Sequence, residues 1–191
     1  HHDHYDEALM VAHLVLTDIG IAIRGSGAIA VLPPILIDMA KVFENALRRV
    51  LADGLADDPR VSVKDGNVSG EGGGARRGLY DVVPPGIRMP NATPDIVIEL
   101  DGFPALIIDA KYKPAPQMPD RNDVGQVVVY GARYSARKIM LLYAERPDGR
   151  PFAERAGAIG EYEIFSGMVN LSAAPIEREE AGFVAAVRAL L

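Results

Sequence analysis

The sequence PDIVIELDGFPALIIDAK, residues 94–111, decides the fold of this chain. Two short apolar runs flank residues 101–103, which contain Asp-Gly, and this arrangement is typical of two antiparallel strands joined by a tight turn. We expect a three-residue loop that pairs Leu100 with Pro104 and Ile98 with Leu106. The stretch therefore predicts a buried hairpin within a sheet.

Two acidic residues and a lysine converge in this hairpin. With the expected register Asp95 lies opposite Asp109, and because side chains alternate between the faces of a strand, Lys111 shares their face. Adjacent carboxylates in apolar strands repel each other and are poorly hydrated, which is costly unless a cation compensates them. Oxygen ligands favour Mg²⁺ or Mn²⁺ over zinc, and the backbone carbonyl of Ala110 is a candidate third ligand.

A second interpretation is that Asp95 and Asp109 are solvated residues at the strand ends and that Lys111 is their ordinary solvated partner. Three features favour a site instead. Asp95 follows Pro94 at the mouth of its strand, Glu44 lies within a helical segment otherwise suited to packing, and Gln126 and Tyr130 are spaced to share one helix face.

The rest of the chain predicts an α/β domain. Apolar residues at helical spacing predict helices over residues 5–18, 35–52, 122–136 and 176–191. Strands are expected at residues 60–64, 94–100, 105–110, 138–144, 159–165 and 168–172, with residues 21–32 extended. A β-α-β step through the third helix implies a mixed sheet with helices on both faces.

The glycine-rich residues 70–78, GEGGGARRG, predict a mobile loop without regular structure. This loop lacks the Gly-Lys-Ser/Thr ending of a phosphate-binding loop, so we do not expect the chain itself to hydrolyse nucleoside triphosphates. Arg76 and Arg77 are either solvated or in contact with a phosphate backbone.

Composition restricts the chemistry. The 191 residues include no cysteine, which excludes thiol nucleophiles and cysteine zinc sites, and the net charge of −6 excludes coating of nucleic acid by overall charge. No apolar run approaches the ~20 residues that cross a bilayer, so we expect no membrane role. The absence of cysteine fits a reducing cytoplasm, where we expect the protein to lie. Basic residues that would form a local DNA track are Arg48, Arg49, Lys113, Arg121, Arg133, Arg137 and Lys138.

The motifs together resemble the PD-(D/E)XK nuclease signature. Pro94-Asp95 is followed by Asp109-Ala110-Lys111 and then by Gln126 and Tyr130 in a Gln-x-x-x-Tyr pattern, the variant of RecB-like nucleases. More narrowly, LIDMAKVFE at residues 36–44 followed by IIDAKYK at residues 107–113 is similar to the McrC subunit of McrBC methylcytosine-specific restriction systems.

The resemblance implies a restriction-endonuclease-like PD-(D/E)XK fold over residues 21–191. Residues 1–20 would then be a helix at the tail of a missing or truncated N-terminal region. The implied function is a Mg²⁺-dependent endonuclease subunit acting on double-stranded DNA, driven by an McrB-like AAA+ GTPase, with homodimerisation for double-strand cleavage. Two alternatives stay open: a RecB-like exonuclease or repair nuclease, and a non-catalytic DNA-binding scaffold with a nuclease fold.

The resemblance also implies roles for individual residues. The metal would be held by Asp95, Asp109 and the carbonyl of Ala110. Lys111 would orient the attacking water or stabilise charge on the phosphoryl oxygens. Glu44 would complete the site through a water or a second metal. Supporting roles, including contact with the DNA backbone, fall to Gln126 and Tyr130, although Tyr130 can also be interpreted as a core aromatic residue whose hydroxyl finds one partner.

Overall fold

The computed structural model describes residues 37–191 and, before them, only the backbone of two strands, β1 (Ala22–Gly25) and β2 (Ala28–Val31). These two strands pair antiparallel, in agreement with the extended conformation predicted for residues 21–32. The helix predicted over residues 5–18 lies outside the described residues. The chain divides into two units, His1–Asp38 and Met39–Leu191.

Three helices follow within the described part of the chain: α1 (Met39–Gly54), α2 (Arg121–Tyr134) and α3 (Ile176–Arg188). All three were predicted from apolar spacing. The start of α2 is fixed by Asp120, whose side chain accepts a hydrogen bond from the backbone N–H of Asn122 over 2.8 Å. Within the described residues no helix is long and apolar enough to cross a membrane.

Within the described residues the main sheet has six strands: β3 (Val61–Asp65), β6 (Ile96–Leu100), β7 (Phe103–Pro114), β8 (Lys138–Glu145), β9 (Ala153–Ile159) and β10 (Tyr162–Met168). Their order across the sheet is β3-β6-β7-β8-β10-β9. A separate short pair is formed by β4 (Arg77–Gly78) and β5 (Asn91–Ala92). The strand β8 is parallel to β7 and β10, whereas the other pairs are antiparallel. The predicted β-α-β step through α2 is therefore confirmed.

Helices cover both faces of the sheet, as expected. On one face the apolar sides of α1 and α3 pack on a cluster that includes Phe43, Leu47, Phe183, Ile96 and Ile108. On the other face α2 packs on a second cluster that includes Val127, Tyr134, Val97, Ile107 and Tyr143. The alternation of β6 and β7 thus sends neighbouring residues into different cores, which fixes the face on which the acidic residues lie.

The central hairpin differs from the prediction at its turn. Leu100 pairs with Phe103, so the loop has two residues, and Asp101 (φ 52°) and Gly102 (φ 80°) both adopt left-handed backbone. Positive φ at both positions suits the right-handed twist of a hairpin, which is why Asp-Gly selects the shorter loop. The predicted pairing of Leu100 with Pro104 is therefore wrong. A register shift between Ile98 and Glu99 absorbs the difference and restores the predicted pairing of Ile98 with Leu106.

The last two strands were placed wrongly from the sequence. Instead of strands at residues 159–165 and 168–172, the structure has β9 and β10 joined at Gly160, whose φ is 57°. The sequence of β9, AERAGAI, is dominated by small and charged residues because the strand forms an edge of the sheet and is not fully buried. Because β9 has only a weak apolar pattern, the sequence did not indicate a strand there.

The glycine-rich segment holds more structure than predicted. Residues Gly70–Gly72 form a short 3-10 helix, and the segment continues into β4. The Tyr134 hydroxyl donates a 2.8 Å hydrogen bond to the carbonyl of Ala75, and the Arg77 guanidinium lies 4.7 Å from the centre of the Tyr134 ring. Contacts with α2 thus compensate the entropy that glycine loses on ordering.

Candidate functional site

The structure brings Asp95 and Asp109 together. Asp95 immediately precedes β6, and the pairing of Ile96 with Ile108 makes Asp95 and Asp109 the next opposed positions. The Oδ2 of Asp95 accepts a 2.7 Å hydrogen bond from the backbone N–H of Ala110. The two acids predicted to face each other therefore lie side by side at one end of the hairpin.

Burial governs the electrostatics of this pair. Removal from water, followed by the neighbouring charge of Asp109, raises the pKa of Asp95 to about 7. Asp109 is only 4% exposed, and burial raises its pKa as well, although Lys111 opposes that shift. The pair therefore retains a proton or attracts a cation near neutral pH.

Lys111 connects the acids to α2. Its Nζ lies 2.6 Å from Asp109 Oδ2, donates a 3.0 Å hydrogen bond to Gln126 Oε1, and lies 3.4 Å from Asp123 Oδ1. The contact with Asp109 is an ion pair, since among the described residues Asp109 Oδ2 has no partner with hydrogen-bond geometry. Burial lowers the pKa of Lys111, but the carboxylates outweigh it and the net shift is upward, so the amine stays charged.

Gln126 and Tyr130 lie on one face of α2, and Gln126 contacts both Lys111 and Tyr130. Gln126 Nε2 donates a 3.0 Å hydrogen bond to the Tyr130 hydroxyl, while Gln126 Oε1 accepts from Lys111. Tyr130 is 8% exposed and belongs to the core under α2. It is thus a core aromatic residue whose hydroxyl completes a chain of contacts ending at Lys111.

Glu44 lies near the pair but is engaged elsewhere. Its Oε2 accepts a 2.7 Å hydrogen bond from Lys41, one turn earlier in α1. Its negative charge nevertheless raises the pKa of both Asp95 and Asp109, which places it in the same electrostatic field. Within the described residues, no three acidic or histidine side chains converge closely enough to enclose a metal ion. Glu44 therefore lies in the electrostatic field of the two aspartates without joining them as a third close carboxylate.

Asp123 is a site residue that sequence reasoning missed. Its Oδ2 accepts a 2.7 Å hydrogen bond from Lys113, and its Oδ1 faces Lys111. Asp123 precedes Gln126 by three residues, a spacing that places both on one helix face but does not by itself connect Asp123 to Lys111. In the sequence it reads only as an acid in the first turn of a helix.

Two further positions were missed. A Cβ on Gly66 would lie 2.0 Å from the carbonyl oxygen of Pro94, so glycine allows the chain after β3 to approach the residue that precedes Asp95. The buried Tyr143 hydroxyl has no hydrogen bond among the described residues, and burial followed by the charges of Asp123 and Asp109 raises the pKa of Tyr143 to about 12. No local signal in the sequence indicates either role.

The expected basic track is largely neutralised. The intramolecular acidic partners are Asp65 for Arg48, Asp53 for Arg49, Asp123 for Lys113, Asp81 for Arg133 and Glu161 for Arg137. Lys138 donates to the Leu190 carbonyl, a neutral group that leaves its charge uncompensated. Surface ion pairs such as that of Arg137 are individually weak. A DNA-binding surface here would require several such pairs to open.

Comparison with known proteins identifies the family. A family model described as a McrBC 5-methylcytosine restriction system component matches residues 1–144. The chain belongs to the McrBC family. The resemblance to McrBC restriction systems is thereby confirmed. No curated protein matches this McrBC family member.

A solved structure shares the fold. It is described as a refined half-complex from the tetradecameric assembly of Thermococcus gammatolerans McrB AAA+ hexamers with bound McrC. The similarity has a TM-score of 0.57 at 18% identity, and it covers 83% of this chain and 35% of that chain. This McrBC family member therefore spans about a third of the length of the chain that it matches.

Proposed function

We propose that this chain is a Mg²⁺-dependent DNA endonuclease subunit, with a PD-(D/E)XK fold, of a 5-methylcytosine-type restriction system. It would hydrolyse phosphodiester bonds in double-stranded DNA when driven by a GTP-hydrolysing AAA+ partner. The observation that carries the proposal is the convergence of Asp95 and Asp109 with Lys111, whose amine lies 2.6 Å from Asp109. Membership of the McrBC family supports the restriction context.

The residues present fit a hard dication. Two poorly hydrated carboxylates with raised pKa values gain most from an added positive charge. Asp95, Asp109 and the Ala110 carbonyl would hold Mg²⁺ or Mn²⁺, and waters or phosphate oxygens would supply the remaining ligands. When bound, the ion would polarise the scissile phosphate and lower the pKa of a water nucleophile.

The side chains around the acids have separable tasks. Lys111 would present its charged amine to the phosphoryl oxygens, where negative charge grows during displacement, or orient the attacking water. Gln126 and Tyr130 would fix the direction of that amine. Glu44 would add negative charge at the edge of the site and act through a water. Before a cation binds, the excess of carboxylates would repel phosphate, so weak DNA binding is expected without metal.

The cleavage test needs the complete system. A covalently closed plasmid containing 5-methylcytosine is incubated with the chain, its AAA+ partner, GTP and Mg²⁺. Wild type and Asp148→Asn, which changes an exposed acid in the loop after β8, should linearise the plasmid, whereas Asp109→Asn should lose at least about a hundredfold in rate. Equal rates for the Asp109 variant and wild type would reject this site.

The form of the DNA separates the alternatives. Cleavage confined to linear DNA would indicate an exonuclease acting on ends. Normal partner assembly with no cleavage by wild type would indicate a scaffold. Cytoplasmic location and homodimerisation belong to the same proposal, and a double-strand break rate that rises with the square of the subunit concentration would support pairing of two copies.

A further inference from the structure

Asp123 lies between two lysines of β7. Its Oδ2 accepts a 2.7 Å hydrogen bond from Lys113, and its Oδ1 lies 3.4 Å from Lys111. The Asp123 side chain is only 16% exposed. Burial raises the pKa of Asp123, but the two ammonium groups outweigh it and the net shift is downward, so the carboxylate is ionised.

Lys111 has three partners that differ in kind. Asp109 is an anion at 2.6 Å, Gln126 is neutral at 3.0 Å, and Asp123 is an anion at 3.4 Å. Asp109 is also the carboxylate that would hold a dication, and a carboxylate whose charge is shared with a metal attracts an ammonium group less strongly. Asp123 is then the charged partner that continues to hold Lys111.

We propose that Asp123 is a positioning residue that keeps the Lys111 amine at the site when Asp109 is occupied by a dication, and that Lys113 fixes Asp123 for this task. The inference rests on the proposed nuclease function. Lys113 holds one carboxylate oxygen of Asp123, and the other oxygen therefore already points at Lys111. The Asp123 side chain is ordered before the reaction, so no further conformational entropy is lost when the reaction takes place. Asp123 itself would touch neither DNA nor metal.

A purely structural role for Asp123 makes a different prediction. An acid in the first turn of a helix interacts favourably with the helix dipole and stabilises the fold wherever its neighbours lie. Asp120, three residues earlier, caps the same helix through the backbone N–H of Asn122. Asp120→Ala therefore weakens the start of α2 while leaving the contacts of Asp123 in place, and it serves as the matched control.

The test follows the Lys111 amine directly in the full chain. Heteronuclear NMR of the lysine Cε and Nζ groups, with Lys111 assigned by Lys111→Arg, is recorded for wild type, Asp123→Asn, Asp123→Glu and Asp120→Ala, with and without Mg²⁺. An ordered ammonium signal should persist with Mg²⁺ in wild type and in Asp120→Ala. It should be lost in Asp123→Asn and partly recovered in Asp123→Glu.

Cleavage by the complex with its partner gives the second measurement. In Asp123→Asn, kcat should fall about 10- to 100-fold while KM for DNA changes less than about twofold. Lys113→Gln should produce a smaller loss of the same kind. An unchanged Lys111 signal in Asp123→Asn, or an equal loss in Asp120→Ala, would overturn the inference. Absence of cleavage by wild type would instead reject the nuclease function, and the NMR result would still decide the role of Asp123.

Discussion

Asp95 Oδ2 accepts a 2.7 Å hydrogen bond from the backbone N–H of Ala110, so the strand that carries Asp109 also holds the neighbouring acid in place. The backbone N–H of Ala110 therefore orients the Asp95 carboxylate, and no flexible lysine or arginine side chain is needed to do so. An asparagine at this position retains an oxygen that can accept the same hydrogen bond. Asp95→Asn thus removes the charge while preserving the local geometry.

The first prediction concerns stability against pH in the absence of metal. The folded-state pKa of Asp95 is about 7, above its ordinary value of 3.8, because the charged form is poorly hydrated and lies beside Asp109. The stability that this group contributes is present below the ordinary pKa and is lost as pH rises through the folded pKa. Between about pH 4 and pH 8 the loss should be about 4 kcal/mol, since each pKa unit corresponds to about 1.4 kcal/mol.

Urea unfolding of wild type and Asp95→Asn at pH 5, 6, 7 and 8 measures this loss. The variant should become relatively more stable as pH rises, because it cannot acquire the buried charge. A constant difference in the free energy of unfolding across this range would contradict the assignment.

The second prediction concerns the close approach at Gly66. In Gly66→Ala the new Cβ would meet the Pro94 carbonyl, which is backbone and cannot rotate away. We expect destabilisation by about 2–4 kcal/mol. We also expect weaker metal binding, because Pro94 is directly bonded to Asp95 and a shift of Pro94 would move the Asp95 carboxylate. Gly157→Ala is the control, since a Cβ there would meet no heavy atom within 4 Å. Similar stabilities for the two variants in chemical denaturation would refute the proposed tight approach.

The third prediction separates stability from activity. Glu179, 5% exposed, accepts hydrogen bonds from Arg146 at 2.8 and 2.9 Å and from the backbone N–H of Asn170 at 2.7 Å. Glu179→Gln leaves the Arg146 charge without its buried partner and should cost about 3 kcal/mol. Exposed Glu177 on the same helix is the matched control. Cleavage per folded molecule should be unchanged at low temperature, and a selective loss of kcat would extend the active site to this region.

The face and proximity of the acids could be predicted because they depend on local rules. Residues 94–111 alternate strictly enough that a period of two assigns Asp95 and Asp109 to one side. The pairing of Ile98 with Leu106 was correct even though the loop was one residue too long, because the register shift beside Glu99 offset that error. The correct pairing of Ile98 with Leu106 thus depends on two differences from the predicted hairpin, the shorter loop and the register shift, whose effects cancel.

The remaining features depend on tertiary structure. The edge strand β9 has little apolar patterning because its surroundings, rather than its composition, make it a strand. The role of Gly66 follows from contact with Pro94, which lies far away in the sequence. Asp123 becomes a site residue only when α2 crosses the end of β7 and brings it to Lys111 and Lys113.

The measurement that tests the central claim most directly is calorimetric titration of the full chain with Mg²⁺, repeated with Mn²⁺, at pH 6 and pH 8. Wild type should bind the ion at millimolar concentration or better, and more tightly at pH 8, because the acids must release protons before they act as ligands. Asp95→Asn and Asp109→Asn should abolish binding, while Asp148→Asn should not. Undetectable binding by wild type, or equal binding by the aspartate variants, would contradict the metal-dependent nuclease centre.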